Sequence, residues 1–247
     1  MRRFTIAPDR IARGHVAFDA DESHHLCRVL RLRPGDTVIA TDGAGHDYTV
    51  RLDTVGAQAT GSVLQVAAHD AESPLAVTLV QAIPKGDRME TIVRAATELG
   101  VARVLPAVSA RTVVRLDAAG WSERTRRWQR VAREATKQCR RGVVPDVEEP
   151  RPLAECLPLA RSADLALCVW EGDGPPLTRA LEAAAPRTAI VLIGPEGGLA
   201  DDEVAAARAY GWTTVSLGSR ILRTETAGPA MLAVLQARFG DFGGGAR

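Results

Sequence analysis

Short stretches of alternating apolar and polar residues fill the first 67 positions of the chain. They predict strands in RRFTIA, HVAF, DTVIATD, HDYTVRL and TGSVLQVA, separated by the turns RPGD, DGAG and VGAQATG. One stretch, DESHHLCRVLRL, has helical spacing instead, with Asp21 or Ser23 as the cap and Leu26, Val29 and Leu30 as an apolar stripe. Short strands with one helix predict a small β-barrel over residues 1–70, followed by the polar linker AAHDAESP.

From residue 75 the pattern changes to apolar runs that alternate with helical stretches. The apolar runs are PLAVTLVQAI, VARVLPAV, DLALCVW, TAIVLIG and TTVSLG, and a helical stretch follows each of them. Runs without polar interruption are typical of strands that are covered on both faces. Residues 75–242 are therefore expected to form an α/β domain with a mostly parallel sheet.

Composition excludes several classes of protein. Hydrophobic residues make up 46% of the chain and charged residues 25%, as in soluble globular proteins. Arg2 and Arg3 are not followed by an apolar run, and no stretch is long and apolar enough to span a membrane, so we expect a cytoplasmic protein without a membrane segment. The four cysteines form no CxxC pair, so neither a zinc site nor a disulfide framework is expected.

Two glycine-containing loops are the strongest candidates for chemistry. Each follows an apolar run, in IVLIGPEGGLADDEV and VSLGSRILRTETAGPAMLAVLQ. Ligands bind beyond the carboxyl ends of parallel strands, where glycines allow close approach of the backbone. Thr224 is the expected cap of the helix after the second loop. Two such loops at consecutive strand ends predict a pocket.

The same domain lacks the residues of several familiar sites. All five histidines lie before residue 75, and no GxSxG occurs, which disfavours a Ser-His-Asp hydrolase. The first loop has no Lys-Ser/Thr, which excludes a Walker phosphate loop, and no GxGxxG follows the first strand of the domain.

A basic stretch runs from Arg111 to Arg141. It holds ten Arg and Lys residues against three acids, although the whole chain has a net charge of only +1. We expect a helix from about Ser122 that carries an apolar stripe of Trp121, Trp128, Ala132, Ala135 and Cys139. The local charge excess favours binding of nucleic acid.

LIGPEGG together with LGSRILRTETA resembles the SPOUT class of methyltransferases, and more specifically the ribosomal RNA small subunit methyltransferase E family. RRF, HHLCRVLRLRPGD and DGAGHDY are similar to the PUA-like RNA-binding domain of that family. KGDRMETIVRAATELGVARVLP and EATKQCRRGVVP are similar to the middle of its catalytic domain. Two positions depart from the family pattern: Lys137 stands where an acid is common, and the turn before the basic stretch reads SARTVV.

The resemblance implies a function and a fold. The family methylates N3 of a uridine in 16S rRNA of the 30S subunit, with S-adenosyl-L-methionine as donor and S-adenosyl-L-homocysteine as product, and without a metal. The implied fold is a C-terminal trefoil-knotted SPOUT domain (75–242), which holds the cofactor and forms a homodimer, behind a PUA-like β-barrel (1–70). Two alternatives stay open: a non-catalytic RNA-binding or ribosome-assembly protein, and a SPOUT methyltransferase that acts on tRNA.

The resemblance implies the cofactor residues, and the chemistry of uridine methylation adds catalytic candidates. The cofactor candidates are Leu192, Gly194, Pro195, Glu196, Gly197, Leu217, Gly218, Ile221, Leu222 and Thr224. Arg223, with Arg220, is expected to stabilise negative charge on the uracil, while Glu196 or Glu225 takes the proton or orients the site. The expected RNA contacts are Arg2, Arg3, Arg28, Arg31, Arg111, Arg133, Arg140 and Arg141.

Overall fold

The structure, a computed structural model, describes residues 2–69, 72–172, 174–182 and 185–242. It divides into two compact units. The first is Met1–Glu72 together with Thr136–Val144, and the second is Ser73–Ala135 together with Pro145–Arg247. The sequence pattern placed residues 136–144 inside the α/β domain, whereas in the structure they belong to the first unit. Residues 70 and 71 of the predicted linker lie outside the described residues.

The first unit is built on a mixed six-stranded sheet. Its elements are β1 (Arg3–Thr5), β2 (Ile11–Ala12), β3 (His15–Ala17), α1 (Ala20–His24), β4 (Thr37–Thr41), β5 (His46–Thr54) and β6 (Thr60–Ala68). The order β1-β4-β5-β6-β3-β2 leaves β1 and β2 at the two edges, so pairing among the described residues does not close the sheet into the predicted barrel. Apolar side chains, including Phe4, Phe18, Leu26 and Leu52, are fully buried in its core.

The helix of this unit begins earlier than its sequence suggests. Asp19, rather than Asp21 or Ser23, is the cap, and its carboxylate accepts a hydrogen bond from the Glu22 N–H at 2.8 Å. Ser23 is buried and accepts a hydrogen bond from the Ala59 N–H at 2.9 Å, so its hydroxyl serves the core. A π-helical turn continues α1 over His25–Val29 and shifts the apolar stripe, which leaves Val29 61% exposed.

The segment 136–144 is attached to the first unit by ion pairs and hydrogen bonds. Arg141 is buried and places Nη2 2.7 Å from Glu72 Oε2, while Lys137 Nζ lies 2.5 Å from Glu22 Oε1. His69 Nε2 is 2.9 Å from the carbonyl oxygen of Arg140. These contacts explain why nine residues beyond the predicted boundary pack with the first unit.

The second unit is an α/β structure whose strand pairs are all parallel among the described residues, as predicted. Its strands are β7 (Ala76–Ala82), β8 (Val101–Val108), β9 (Asp146–Val147), β10 (Arg151–Pro152), β11 (Leu165–Val169), β12 (Thr188–Ile193) and β13 (Thr213–Val215). Its helices are α2 (Arg88–Glu98), α3 (Ala118–Cys139), α4 (Leu153–Cys156), α5 (Leu177–Leu181), α6 (Asp201–Ala209) and α7 (Thr224–Phe239), the last turn of α3 belonging to the first unit.

Strand order decides which loops become neighbours. The sheet runs β10-β8-β7-β12-β11-β13, with β9 beside β8. β12 and β13 follow one another along the chain, but β11 lies between them in the sheet. The loops after β12, β11 and β13 therefore meet at one edge of the sheet. The sequence predicted only the two glycine loops, after β12 and β13, at this edge.

The basic helix α3 matches its predicted stripe in part. It begins at Ala118, four residues before the expected start. Trp128 and Ala132 are buried, whereas Trp121 and Cys139 are only half-buried. None of the helices in the described part of the chain is long and apolar enough to cross a membrane.

Candidate active site

A cavity of about 600 Å³ opens at the carboxyl ends of β12, β11 and β13. This volume lies within the range of pockets that hold small molecules and cofactors. Three segments line it, namely residues 193–199 without Gly197, residues 169–171 and residues 216–225, together with Arg88 and Ala227. The glycine loop after β12 is called the first loop below, and residues 216–223 are called the second loop.

The first loop is a tight turn that requires glycine. A Cβ at Gly194 would lie 2.9 Å from the carbonyl carbon of Gly198 and 3.0 Å from the backbone nitrogen of Leu199. Gly198 has φ +71°, and its N–H donates to the Pro195 carbonyl at 2.9 Å. The backbone can fold back on itself here only because these side chains are absent.

Glu196, on the first loop, is held by groups at the start of α2. Its Oε1 accepts hydrogen bonds from Arg88 Nη1 and from the Lys85 N–H, the latter at 2.9 Å. Burial alone would raise the pKa of Glu196, but hydrogen bonds from backbone N–H groups and from Arg88, with the charge of Arg88, outweigh it and lower the pKa. Arg88 Nε also lies 3.7 Å from Glu225 Oε1, so one guanidinium faces two carboxylates.

The second loop is open by comparison. Ile221 is 81% exposed, and Gly218 has φ +100°. Among the described residues, neither Arg220 nor Arg223 has a carboxylate within ion-pair distance. The two guanidinium groups are therefore available to an anionic ligand.

Thr224 joins the two loops and does not cap the helix. Its Oγ1 donates to the Gly194 carbonyl at 2.7 Å and accepts from Gln81 Nε2 at 2.9 Å. The cap position of α7 is Arg223, which makes no side-chain cap hydrogen bond. The predicted cap is wrong because the buried hydroxyl of Thr224 makes these two hydrogen bonds instead.

The structure brings most of the predicted site residues together. Those that line the cavity are Gly194, Pro195, Glu196, Leu217, Gly218, Ile221, Leu222 and Thr224, with Arg220, Arg223 and Glu225. Two predicted cofactor residues do not line it: Leu192 is buried in the sheet core, and the Gly197 carbonyl accepts from Arg111 Nη1 at 2.5 Å. The sequence analysis did not predict Arg88, Trp170 and Glu171. The available signal was that they follow the ends of two apolar strands, at Ala82 and Val169.

The predicted RNA contacts differ in their availability. Those with exposed side chains are Arg2, Arg28, Arg31, Arg111, Arg133 and Arg140. Arg3 is half-buried and pairs with Asp47 at 2.7 Å. Arg141 is 8% exposed and committed to Glu72, which argues against its predicted contact with RNA.

The cysteines and potential metal ligands of the described residues are not clustered. No group of three or more His, Cys, Asp or Glu side chains there is arranged to hold a metal ion. Burial raises the pKa of Cys156 to about 11 and that of Cys168 to about 12, so both thiols stay protonated in the core.

Comparison with known proteins decides the family. The model of an RNA methyltransferase domain matches residues 71–236, and that of an RNA methyltransferase PUA domain matches residues 18–56. A ribosomal RNA small subunit methyltransferase E from Synechocystis is 36% identical over 95% of this chain and 77% of its own length. The chain belongs to the ribosomal RNA small subunit methyltransferase E family. It is an RNA methyltransferase.

Other members of the methyltransferase E family agree with this assignment. The Bacillus subtilis member is 32% identical over 84% of both chains. The crystal structure of the Neisseria gonorrhoeae member, bound to S-adenosyl methionine, has a TM-score of 0.87 and 35% identity over 98% of this chain and 99% of that one. A Legionella pneumophila putative methyltransferase in complex with the same cofactor has a TM-score of 0.86 and 29% identity, covering 97% of this chain and 98% of that one.

Proposed function

We propose that this enzyme transfers a methyl group from S-adenosyl-L-methionine to N3 of a uridine in 16S rRNA of the small ribosomal subunit. Membership in the methyltransferase E family is the observation that carries the proposal. The names of the relatives specify small-subunit ribosomal RNA, which favours rRNA over tRNA and catalysis over simple RNA binding.

The cavity fits this cofactor. Gly194 and Gly198 line it with bare backbone, and Leu199, Leu217 and Leu222 offer apolar surface for an adenine ring. When bound, S-adenosyl-L-methionine supplies a methyl group on a sulfonium centre, which needs no metal. The residues expected to hold it are those of the first loop and the apolar residues of the second loop.

The free arginines of the second loop suit the charge of the reaction. The N3–H of uridine has a pKa of roughly 9–10, so about 1% or less is anionic at neutral pH unless the site stabilises the anion. Arg223, with Arg220, is placed on the cavity and stabilises negative charge on the uracil oxygens O2 and O4. Neither group must first break an ion pair among the described residues.

The proton acceptor is assigned between the two predicted carboxylates. Glu196 is a poor proton acceptor, because its pKa is lowered and Arg88 and the Lys85 N–H already occupy Oε1. Glu225 lies farther from Arg88, at 3.7 Å, and is 21% exposed on the cavity. Glu225 is therefore the proposed proton acceptor, while Glu196 orients the first loop.

A trefoil knot and a homodimer are part of the proposal. The family resemblance supports both, and the enzyme is proposed to act in the cytoplasm on the 30S subunit. Exposed apolar side chains at Ile221 (81%) and Val234 (40%) offer surface to a second copy of the chain. Light scattering coupled to size-exclusion chromatography tests the dimer, and a single species at 26.3 kDa contradicts it.

The RNA surface is proposed to use the exposed arginines of each unit, with Arg133 on α3 and Arg140 after it. Replacing each by alanine is expected to lower the slope of log K against log salt by about 0.7–0.9 per lost phosphate contact. Arg141→Ala, the matched control, is expected to keep the slope and instead to lower stability by about 1.5–3 kcal/mol, because it breaks a buried charged hydrogen bond. A slope unchanged in Arg133→Ala and Arg140→Ala contradicts this assignment.

Product analysis tests the reaction itself. The enzyme is incubated with S-adenosyl-L-methionine and 30S subunits from a strain that lacks its own enzyme, and the digested rRNA is analysed for 3-methyluridine by mass spectrometry. We expect 3-methyluridine in 16S rRNA and none in parallel reactions with tRNA. Methylation of tRNA alone, or cofactor binding without any methylated RNA, would overturn the proposal in favour of a tRNA enzyme or a non-catalytic binder.

A further inference from the structure

Among the described residues, Glu171, Glu196 and Glu225 place carboxylates on the cavity, and their partners differ. Glu196 and Glu225 both face Arg88. Among the described residues, the carboxylate of Glu171 has neither a cation within ion-pair distance nor a hydrogen-bond donor. Its oxygens are therefore available to a ligand in the cavity.

The position of Glu171 in the sheet indicates which part of a ligand it meets. It stands two residues after the end of β11, and β11 pairs directly with β12, the strand that leads into the first loop. In parallel sheets that bind adenine dinucleotides, an acid at the end of the strand beside the glycine turn accepts hydrogen bonds from ribose hydroxyls. Glu171 likewise lies beyond the carboxyl end of the strand beside the glycine turn, although it precedes that turn in the chain.

Gly198 lets this carboxylate lie against the first loop. A Cβ at Gly198 would lie 2.5 Å from Glu171 Oε1, closer than two such atoms can approach. The bare glycine thus leaves the carboxylate beside the loop backbone, on the cavity wall that Gly194 and Pro195 continue. A ligand group in the cavity beside the first loop would be within reach of Glu171.

We propose that Glu171 binds the ribose of the cofactor by accepting hydrogen bonds from its 2′- and 3′-hydroxyl groups. This assignment rests on the proposed use of S-adenosyl-L-methionine. Two carboxylate oxygens match two adjacent hydroxyl donors, and a carboxylate acceptor makes stronger hydrogen bonds than a neutral one. Glu171 is therefore a cofactor-binding residue and takes no part in methyl transfer.

Calorimetric titration with S-adenosyl-L-homocysteine provides the first test. Glu171→Ala is expected to bind it about tenfold or more weakly than the unsubstituted enzyme, as for loss of hydrogen bonds to a charged group. Glu149→Ala, at an exposed glutamate of the same unit, is the matched control and is expected to bind normally. Thermal unfolding without ligand checks that both variants fold. Glu171→Ala is expected to fold, because Glu171 is exposed and its truncation creates no cavity.

Deoxy analogues identify the group that Glu171 recognises. The unsubstituted enzyme is expected to bind 2′-deoxy or 3′-deoxy S-adenosyl-L-homocysteine about tenfold more weakly than the parent compound, whereas Glu171→Ala binds parent and analogue within a few-fold. Normal binding by Glu171→Ala, or an equal analogue penalty in both proteins, overturns the proposal. A loss confined to S-adenosyl-L-methionine and S-adenosyl-L-homocysteine, with none for 5′-methylthioadenosine, also overturns it, because that pattern indicates recognition of the cofactor's ammonium group. Failure of the unsubstituted enzyme to bind any of these ligands would instead contradict the proposed function.

Discussion

The two loops on the cavity are built in opposite ways. In the first loop, groups on neighbouring elements hold the polar atoms: Glu196 binds Arg88 and the Lys85 N–H, and Arg111 donates to the Gly197 carbonyl. In the second loop, Arg220 and Arg223 have no carboxylate partner among the described residues, and Ile221 is 81% exposed. One loop is fixed before a ligand arrives, and the other keeps its charges available.

This difference divides the work of the site. A prearranged loop lowers the cost of ordering the site when the cofactor binds. Free guanidinium groups can stabilise charge that develops on the RNA base during the reaction. The first loop is thus expected to govern cofactor affinity, and the second loop is expected to govern the rate of methyl transfer.

The largest expected effect separates rate from affinity. Arg223→Ala is expected to slow single-turnover methylation by about 100–1000-fold, as for loss of one group that stabilises a developing anion. Binding of S-adenosyl-L-homocysteine should change little. Arg187→Ala, at an exposed arginine before the amino end of β12, is the control and should react normally. Near-normal methylation by Arg223→Ala would remove the proposed division.

A smaller effect is expected on the first loop. Gly194→Ala places a Cβ 2.9 Å from a backbone carbon, and overpacking of this kind costs about 1–3 kcal/mol. Affinity for S-adenosyl-L-homocysteine should fall by about 10–100-fold in calorimetric titration. Gly197→Ala, whose Cβ meets Arg111 at an ordinary 3.5 Å, should lose less. Equal losses in the two variants would contradict a turn that depends on Gly194.

The smallest effect concerns the pH dependence of stability. The lowered pKa of Glu196 means that its carboxylate stabilises the fold above its ordinary pKa of 4.5, and that this stabilisation is lost as the pH falls through the lowered value. Arg88 and Glu196 are 43% and 30% exposed, so Arg88→Ala should cost under about 1 kcal/mol at pH 7. Urea unfolding at pH 7 and pH 4 should give a smaller difference for Arg88→Ala than for the unsubstituted enzyme. An unchanged difference would mean that Arg88 does not hold Glu196 ionised.

Local patterns were enough to predict the site's loops, because a strand, a glycine turn and a helix start are encoded by adjacent residues. Both glycine loops line the cavity. The partners that restrain them are not local. Arg88 lies 108 positions before Glu196, and only the pairing of β7 with β12 brings the two loops that follow them together.

Long-range contacts also explain where the structure departs from local expectation. Thr224 has the residue type of a helix cap, but its hydroxyl accepts a hydrogen bond from Gln81, 143 positions away. Arg141 belongs to the basic stretch, but its buried guanidinium forms an ion pair with Glu72, which lies 69 positions before it. Glu171 was missed because β11 stands between β12 and β13 in space but not in sequence.

A crystal structure of the enzyme with S-adenosyl-L-homocysteine tests the division between the loops most directly. The account predicts density for the ligand in the cavity, with the first loop within about 1 Å of its position here, as for a prearranged site. Any segment that changes position or becomes ordered when the ligand binds should lie in the second loop, residues 216–223. A ligand bound elsewhere, or a first loop that rearranges while the second stays in place, would contradict the account.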